Sequence, residues 1–238
     1  MTTNVVTDEQ YGKVAKRTHE LLLRLAKGAV EYQPVMDGLQ LLIEAKKVSE
    51  APEQEKELAV LITDWQNFYR EVFGQEVDFS GLKIPQKKKG FNRLLILVQG
   101  MTPQRLYDKC KELFPTWKWT EKNLDEIVTS DRTAQNGAYA IWVRDRVEAD
   151  KELKNLSANV LKAKNINGIT LEERLIYELK YFKETGRHLD IENVTLCSGS
   201  RNPGGYVPCV CWDGDRLRVR NCTPDSYDVD LRARAAVS

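Results

Sequence analysis

The chain has 238 residues, enough for one large domain or two small ones, each able to bury a core. Hydrophobic residues make up 42% and charged residues 30%, the composition of a folded globular protein. Thirty-six basic and 35 acidic side chains leave a net charge of +1, so no general field draws nucleic acid or an anionic membrane.

No apolar run approaches the roughly 18 residues of a membrane span. The start "MTTNVVTDEQYGK" has no basic region leading into an apolar stretch, so no secretory signal is expected and a cytoplasmic chain is. Five cysteines are an odd number, and in that compartment they are read as free thiols.

From residue 7 to about 47 the pattern is helical. Thr7 with Gln10 makes a capping box, and Val14, His19, Leu21, Leu22, Leu25 and Val30 lie near helical spacing. Gly28 and Pro34 divide this stretch into two helices. "VSEAPEQ" predicts a break, with Pro52 opening a third amphipathic helix that Gly74 stops. This gives a helical N-terminal region over 1–75, whose apolar stripes serve as core, partner contact or an oligomer seam.

Residues 76–90, with Lys87, Lys88 and Lys89, read as a solvated linker, because three lysines without interleaved aromatics make a weak nucleic-acid signal.

An α+β domain is expected over 91–238. "FNRLLILVQG" is a buried strand, and Thr102 with Pro103 caps and opens a helix. "TWKWT" and "AYAIWVRDR" alternate as strands, with the polar loop "VTSDRTAQNG" between them. Thr170 and Glu173 form a second capping box, followed by a stripe of Leu171, Leu175, Leu179 and Phe182 and closed by Gly186. From Val194 on, short apolar-alternating pieces between Gly, Pro, Asn and Asp clusters predict strands and loops.

Catalytic patterns are absent. Cys209 and Cys211, with His188, Cys197 and Cys222, lack the two ligand pairs of a structural zinc site. "LCSGSRNPGG" fits neither a nucleophile elbow nor a phosphate-binding loop. A metal- or thiol-dependent enzyme is the weaker alternative, and no cofactor, metal or catalytic residue is expected. A regulatory or scaffolding protein acting through its N-terminal helices is the other.

The tail from Gly204 to Ser238 changes vocabulary. After Glu192 the chain contains no Lys, Glu, Gln or Met, and its one Trp there is Trp212. A turn-rich β region accounts for part of this, since long flexible side chains favour helices. The remaining polar types, Asp, Arg, Asn, Ser, Thr, Tyr and Cys, are also those reached when the two adenines of an AAC codon are randomised. Lys, Glu, Gln and Met are not reachable that way.

With "SGSRNPGGYVPCVCWDGDRLRV", "RNCTPDSYDVD" and the ending "LRARAAVS", this part resembles the variable target proteins of diversity-generating retroelements. The whole chain is similar to hypothetical proteins of candidate-phyla bacteria that end in much this way. The resemblance implies a C-type lectin-like, β-rich C-terminal part with a variable segment over 206–230. It also implies a non-enzymatic protein whose ligand is an unknown macromolecule, itself a protein. Gly204, Gly205, Pro208, Trp212, Leu217, Val219, Leu231 and the terminal Ala-Val pair would be scaffold. Cys209, Cys211, Arg218, Arg220, Asn221, Cys222, Asp225, Ser226, Tyr227 and Asp228 would form the presented, ligand-binding patch. Cys209 and Cys211 would share one face, Val210 and Trp212 the other. Arg232 and Arg234 are alternatively structural, pairing with Asp213 or Asp215.

Overall fold

Three of the helix starts expected from the sequence carry their caps. In the computed structural model, which describes residues 7–238 and the side chains of all of these except 8 and 44–54, helix α1 (Asp8–Ala26) begins with the Thr7–Gln10 capping box. Helix α3 (Pro103–Leu113) begins with Thr102 accepting from the Arg105 N–H, the one-turn α4 (Leu124–Ile127) with Asn123 accepting from the Asp125 N–H, and α6 (Leu171–Thr185) with the reciprocal Thr170–Glu173 box. Gly186 ends α6 at φ 67°, a left-handed conformation that costs glycine nothing.

The chain divides into two compact units, residues 1–60 and 61–238. In the first, α1 and the beginning of α2 (Tyr32–Phe73) flank an apolar groove lined by Leu21, Val30, Pro34, Val35, Leu39 and Leu42. His19 is exposed, as are Val14, Leu22 and Leu23. The break expected at "VSEAPEQ" is not there: one helix runs from Tyr32 to Phe73. An internal proline forfeits one helical hydrogen bond, but Ala, Glu, Lys and Gln around Pro52 favour helix, and the 42-residue run absorbs the loss.

The second unit is mixed α+β. The last turns of α2 bring Trp65, Phe68 and Tyr69, all buried, against strand β1 (Arg93–Leu97). Trp65 Nε1 donates to the Leu94 carbonyl at 3.2 Å and the Tyr69 hydroxyl to that of Ile96 at 2.6 Å. These bonds satisfy acceptors on β1 that the antiparallel pairing with β4 (Tyr139–Val143) leaves open. Residues 75–92 form neither helix nor strand, yet they are packed: Phe79 is buried, and the Pro85 carbonyl accepts from Trp142 Nε1 at 2.8 Å.

A five-stranded sheet follows, in the order β2 (Thr116–Lys118), β8 (Arg216–Cys222), β7 (Val207–Asp213), β5 (Val194–Leu196), β9 (Leu231–Ala233). Its centre is antiparallel, and its two edge pairs, β2 with β8 and β5 with β9, are parallel. One face of the β7–β8 hairpin lies toward an aromatic cluster of Phe114, Phe182, His188 and Trp212. The other packs on Leu153, on Ala158 and Leu161 of the short helix α5 (Ala158–Ala163), and on Leu196, Leu231 and Ala233. After β9 the chain returns to the first strand pair, where Val237 and Trp142 exchange backbone hydrogen bonds at 2.9 Å. Among the described residues, no helix is long and apolar enough to cross a membrane.

Buried charge holds these pieces together. Asp190 receives Arg174 Nε at 2.8 Å, Arg234 Nη2 at 2.7 Å, the Thr195 hydroxyl at 2.5 Å and the Ala149 N–H at 2.9 Å. Arg174 continues to Glu178 at 2.7 Å, and Glu178 to His188 Nδ1 at 2.8 Å. Arg234 is therefore structural, but its partner is Asp190 rather than Asp213 or Asp215. Asp213 is taken by Arg218 and Arg220, and Asp215 by Arg216.

Candidate functional site

The register of the β7–β8 hairpin decides which tail residues share a face. Cys209 lies opposite Arg220, Cys211 opposite Arg218 and Asp213 opposite Arg216, while Pro208, Val210 and Trp212 oppose Asn221, Val219 and Leu217. Cross-strand partners project to the same side. Val207, Cys209, Cys211, Asp213, Arg216, Arg218, Arg220 and Cys222 thus form one face, and Val210, Trp212, Leu217, Val219 and Asn221 the other.

The shared face expected for Cys209 and Cys211 is there, but their presentation to solvent is not. Both are buried, Cys209 in the core with Leu196, Val207, Leu231 and Ala233. Arginines directly across the strand pair lie beside these small thiols, where their aliphatic stems suit cover and their guanidinium groups stay at the rim. Burial raises the Cys211 thiol above its ordinary value. Cys222 is half-buried with its sulfur in contact with that of Cys209. Asn221 is half-buried and faces away from Arg220, because neighbouring strand residues alternate. The expected patch is therefore divided between two faces.

What remains together is an arginine row. Arg216, Arg218 and Arg220 retain 41%, 34% and 42% side-chain exposure, while Leu217 and Val219 between them are fully buried. Arg220 Nη2 lies 2.5 Å and Arg218 Nε 3.0 Å from the same Asp213 oxygen. Arg216 is bidentate on Asp215, whose carboxyl it holds below the usual range.

Beyond Cys222 the chain enters a loop, 223–230, with its own framework. The Thr223 and Ser226 hydroxyls are 2.7 Å apart, and Asn159 Nδ2 donates to Asp225 at 2.5 Å. Asn159 N–H donates to the Pro224 carbonyl and Val194 N–H to that of Asp230. Held this way, Tyr227 and Asp228 are exposed, Tyr227 to 76%, whereas Ser226 is half-buried. Of the expected scaffold, Pro208, Leu217, Val219, Leu231, Ala236 and Val237 are buried, and Trp212 stacks on His188. Gly204 and Gly205 are exposed turn residues, with Gly205 at φ 79°.

A second feature carried no motif. A cavity of about 590 Å³ opens between the β1–α3 turn, residues 128–135 and the start of α6. Glu172 lies at its wall, and the Ser130 hydroxyl donates to its Oε2 at 2.7 Å. Strands β3 (Thr129–Ser130) and β6 (Ser200–Arg201) pair Ser130 with Ser200, whose hydroxyl accepts the Leu171 N–H. Burial pushes the Glu172 carboxyl up to about 7, against the lowering hydrogen bond from Ser130. The adjacent Glu173 is spent on the helix cap and a bidentate pair with Arg132. Two consecutive glutamates at a helix start were the only sequence signal for this arrangement.

Among the described residues, no group of three or more His, Cys, Asp or Glu side chains is placed to hold a metal ion. No family model, curated protein or solved structure matches this chain.

Proposed function

We propose that the chain is a non-enzymatic binding protein whose C-terminal part displays an exchangeable surface on a C-type lectin-like scaffold, as variable proteins of diversity-generating retroelements do. The observation that carries the reading is the alternation along β8. Arg216, Arg218 and Arg220 stand at the rim, and the fully buried Leu217 and Val219 anchor the strand between them. A side chain can change at such a position without leaving a cavity behind it.

The surface chemistry suits a protein ligand. Arg is enriched where proteins meet and Lys and Glu depleted, and the tail after Glu192 has six arginines and neither Lys nor Glu. Tyr227 offers rigid contact area, and the neighbouring Asp and Ser offer hydrogen bonds at low entropic cost. The exchangeable set on this reading is Arg216, Arg218, Arg220, Asp225, Tyr227 and Asp228, with Cys209, Cys211 and Asn221 passing to the framework.

Two display libraries test it. One randomises the six exchangeable positions, the other Val207, Val210, Leu217, Val219 and Leu231. Most members of the first should resist protease as the parent does, and few of the second. Comparable collapse in both libraries would refute the proposal. At the genetic locus, copies of the coding segment for 206–230 should differ mainly at adenines.

A further inference from the structure

Three thiols on the same hairpin go unused by the display role, and two of them meet. Cys209 and Cys222 project from one face of antiparallel neighbours, two residues apart in register: Cys209 opposes Arg220, and Cys222 opposes Val207. Their sulfurs touch at 2.7 Å. The other cysteines are not so placed. Cys110 and Cys197 are fully buried, and Cys211 sits two residues along β7 on the far side of Cys209 from Cys222.

The two thiols are unequal. Cys209 lies in the apolar core, whereas Cys222 is partly open at the end of β8, with Arg220 two residues back on the same face. The contact with Cys222 and burial push the Cys209 thiol up. Contact with Cys209, opposed by burial and helped by the Arg220 charge, draws the Cys222 thiol down. Thiolate character and access together single out the sulfur that reacts first.

We infer that Cys209 and Cys222 form a redox modification site, in which Cys222 takes up a small disulfide oxidant and Cys209 resolves it to an intramolecular cross-link. With oxidised glutathione as the oxidant, the Cys222 thiolate attacks one glutathione sulfur. The S–S bond of the oxidant breaks, and the departing glutathione thiolate takes a proton from water. Cys209 then gives its proton to solvent, and its sulfur attacks that of Cys222, expelling the second glutathione. Two protein thiols are oxidised and one glutathione disulfide is reduced to two thiols. The site stands on the hairpin alone and does not depend on the display reading.

The consequence is local. The bond joins β7 to the end of β8, one residue before the loop 223–230. It restrains the separation of the two strands at that end, and a cross-link present in both folded and unfolded chains raises the melting temperature by limiting the unfolded one.

The test treats the full-length reduced protein with oxidised glutathione and counts thiols after denaturation. The expected count falls from the five cysteines of the chain to three, and peptide mapping finds a Cys209–Cys222 link. The oxidised protein melts several degrees higher, roughly 5 °C or more. Cys222→Ala keeps all four of its thiols, and Cys209→Ser retains one glutathione on Cys222. Circular dichroism of the variants and thiol counts of the wild type keep a folding defect from being mistaken for either outcome. Five persisting thiols in the wild type, a stable glutathione adduct on its Cys222, or a link to Cys197 or Cys211 would each overturn the inference.

Discussion

Replacing Glu172 by Gln removes a charge from the wall of the α6 cavity while keeping an oxygen to accept from Ser130. Burial places the native carboxyl near pH 7, against an ordinary value of 4.5. The native state therefore holds a proton between those values that the unfolded state releases. Stability from this group is fully present below about pH 4.5 and is lost as the pH rises through 7. The pKa difference converts to on the order of 3 kcal/mol at complete ionisation. Urea unfolding of parent and Glu172→Gln at pH 4.5, 6 and 8 measures it. The stability difference should grow with pH in favour of the variant, by about 3 kcal/mol across the range. A difference that stays constant with pH, or a variant that loses stability at pH 8, would show that Glu172 is ionised and paired in the native state.

Arg234→Met should destabilise by about 3–5 kcal/mol, because it strips one cation from the buried Asp190 carboxylate and leaves the Arg146 and Val147 carbonyls without its guanidinium. Chemical unfolding checks this, and a loss below about 1 kcal/mol would mean that Arg174 and Thr195 suffice for Asp190. Gly199→Ala should also destabilise, by roughly 1–3 kcal/mol in a thermal or urea melt, since the new Cβ would lie 2.8 Å from the Gly168 carbonyl oxygen, a backbone atom that cannot rotate away. An unaffected melt would mean that the 168–199 contact opens at little cost.

Local signals carried far along this chain. The caps at Thr7, Thr102 and Thr170 and the glycine stops at 74 and 186 depend on residues within four positions of one another, and all are where the spacing put them. Pro52 was misleading for the complementary reason: a breaker has a known cost, but whether a long helix absorbs it depends on everything around it. Residues 151–169 carried no strong periodicity, and the α5 segment within them supplies the cover over Cys209. The resemblance places Cys209 at the surface, and packing against this segment puts it in the core instead.

The candidate site divides along the same line. A period of two puts Cys209 and Cys211 on one side and Val210 and Trp212 on the other, and the hairpin register agrees, while it sends Arg220 and Asn221, expected in one patch, to opposite sides. Periodicity is a property of the backbone and says nothing about what lies opposite either side. That Cys209 is core while Arg218 and Arg220 stand at a rim, and that Arg234 reaches Asp190 across 44 residues of sequence, follow from which elements pack where. The sequence by itself determined the capped helix starts and the shared side of Cys209 and Cys211, since these arise from dihedral preferences and hydrogen bonds between near neighbours. Only the tertiary structure decided burial, the ion pairs of the core and the contact of Cys209 with Cys222, because each joins residues that become neighbours only when the sheet closes.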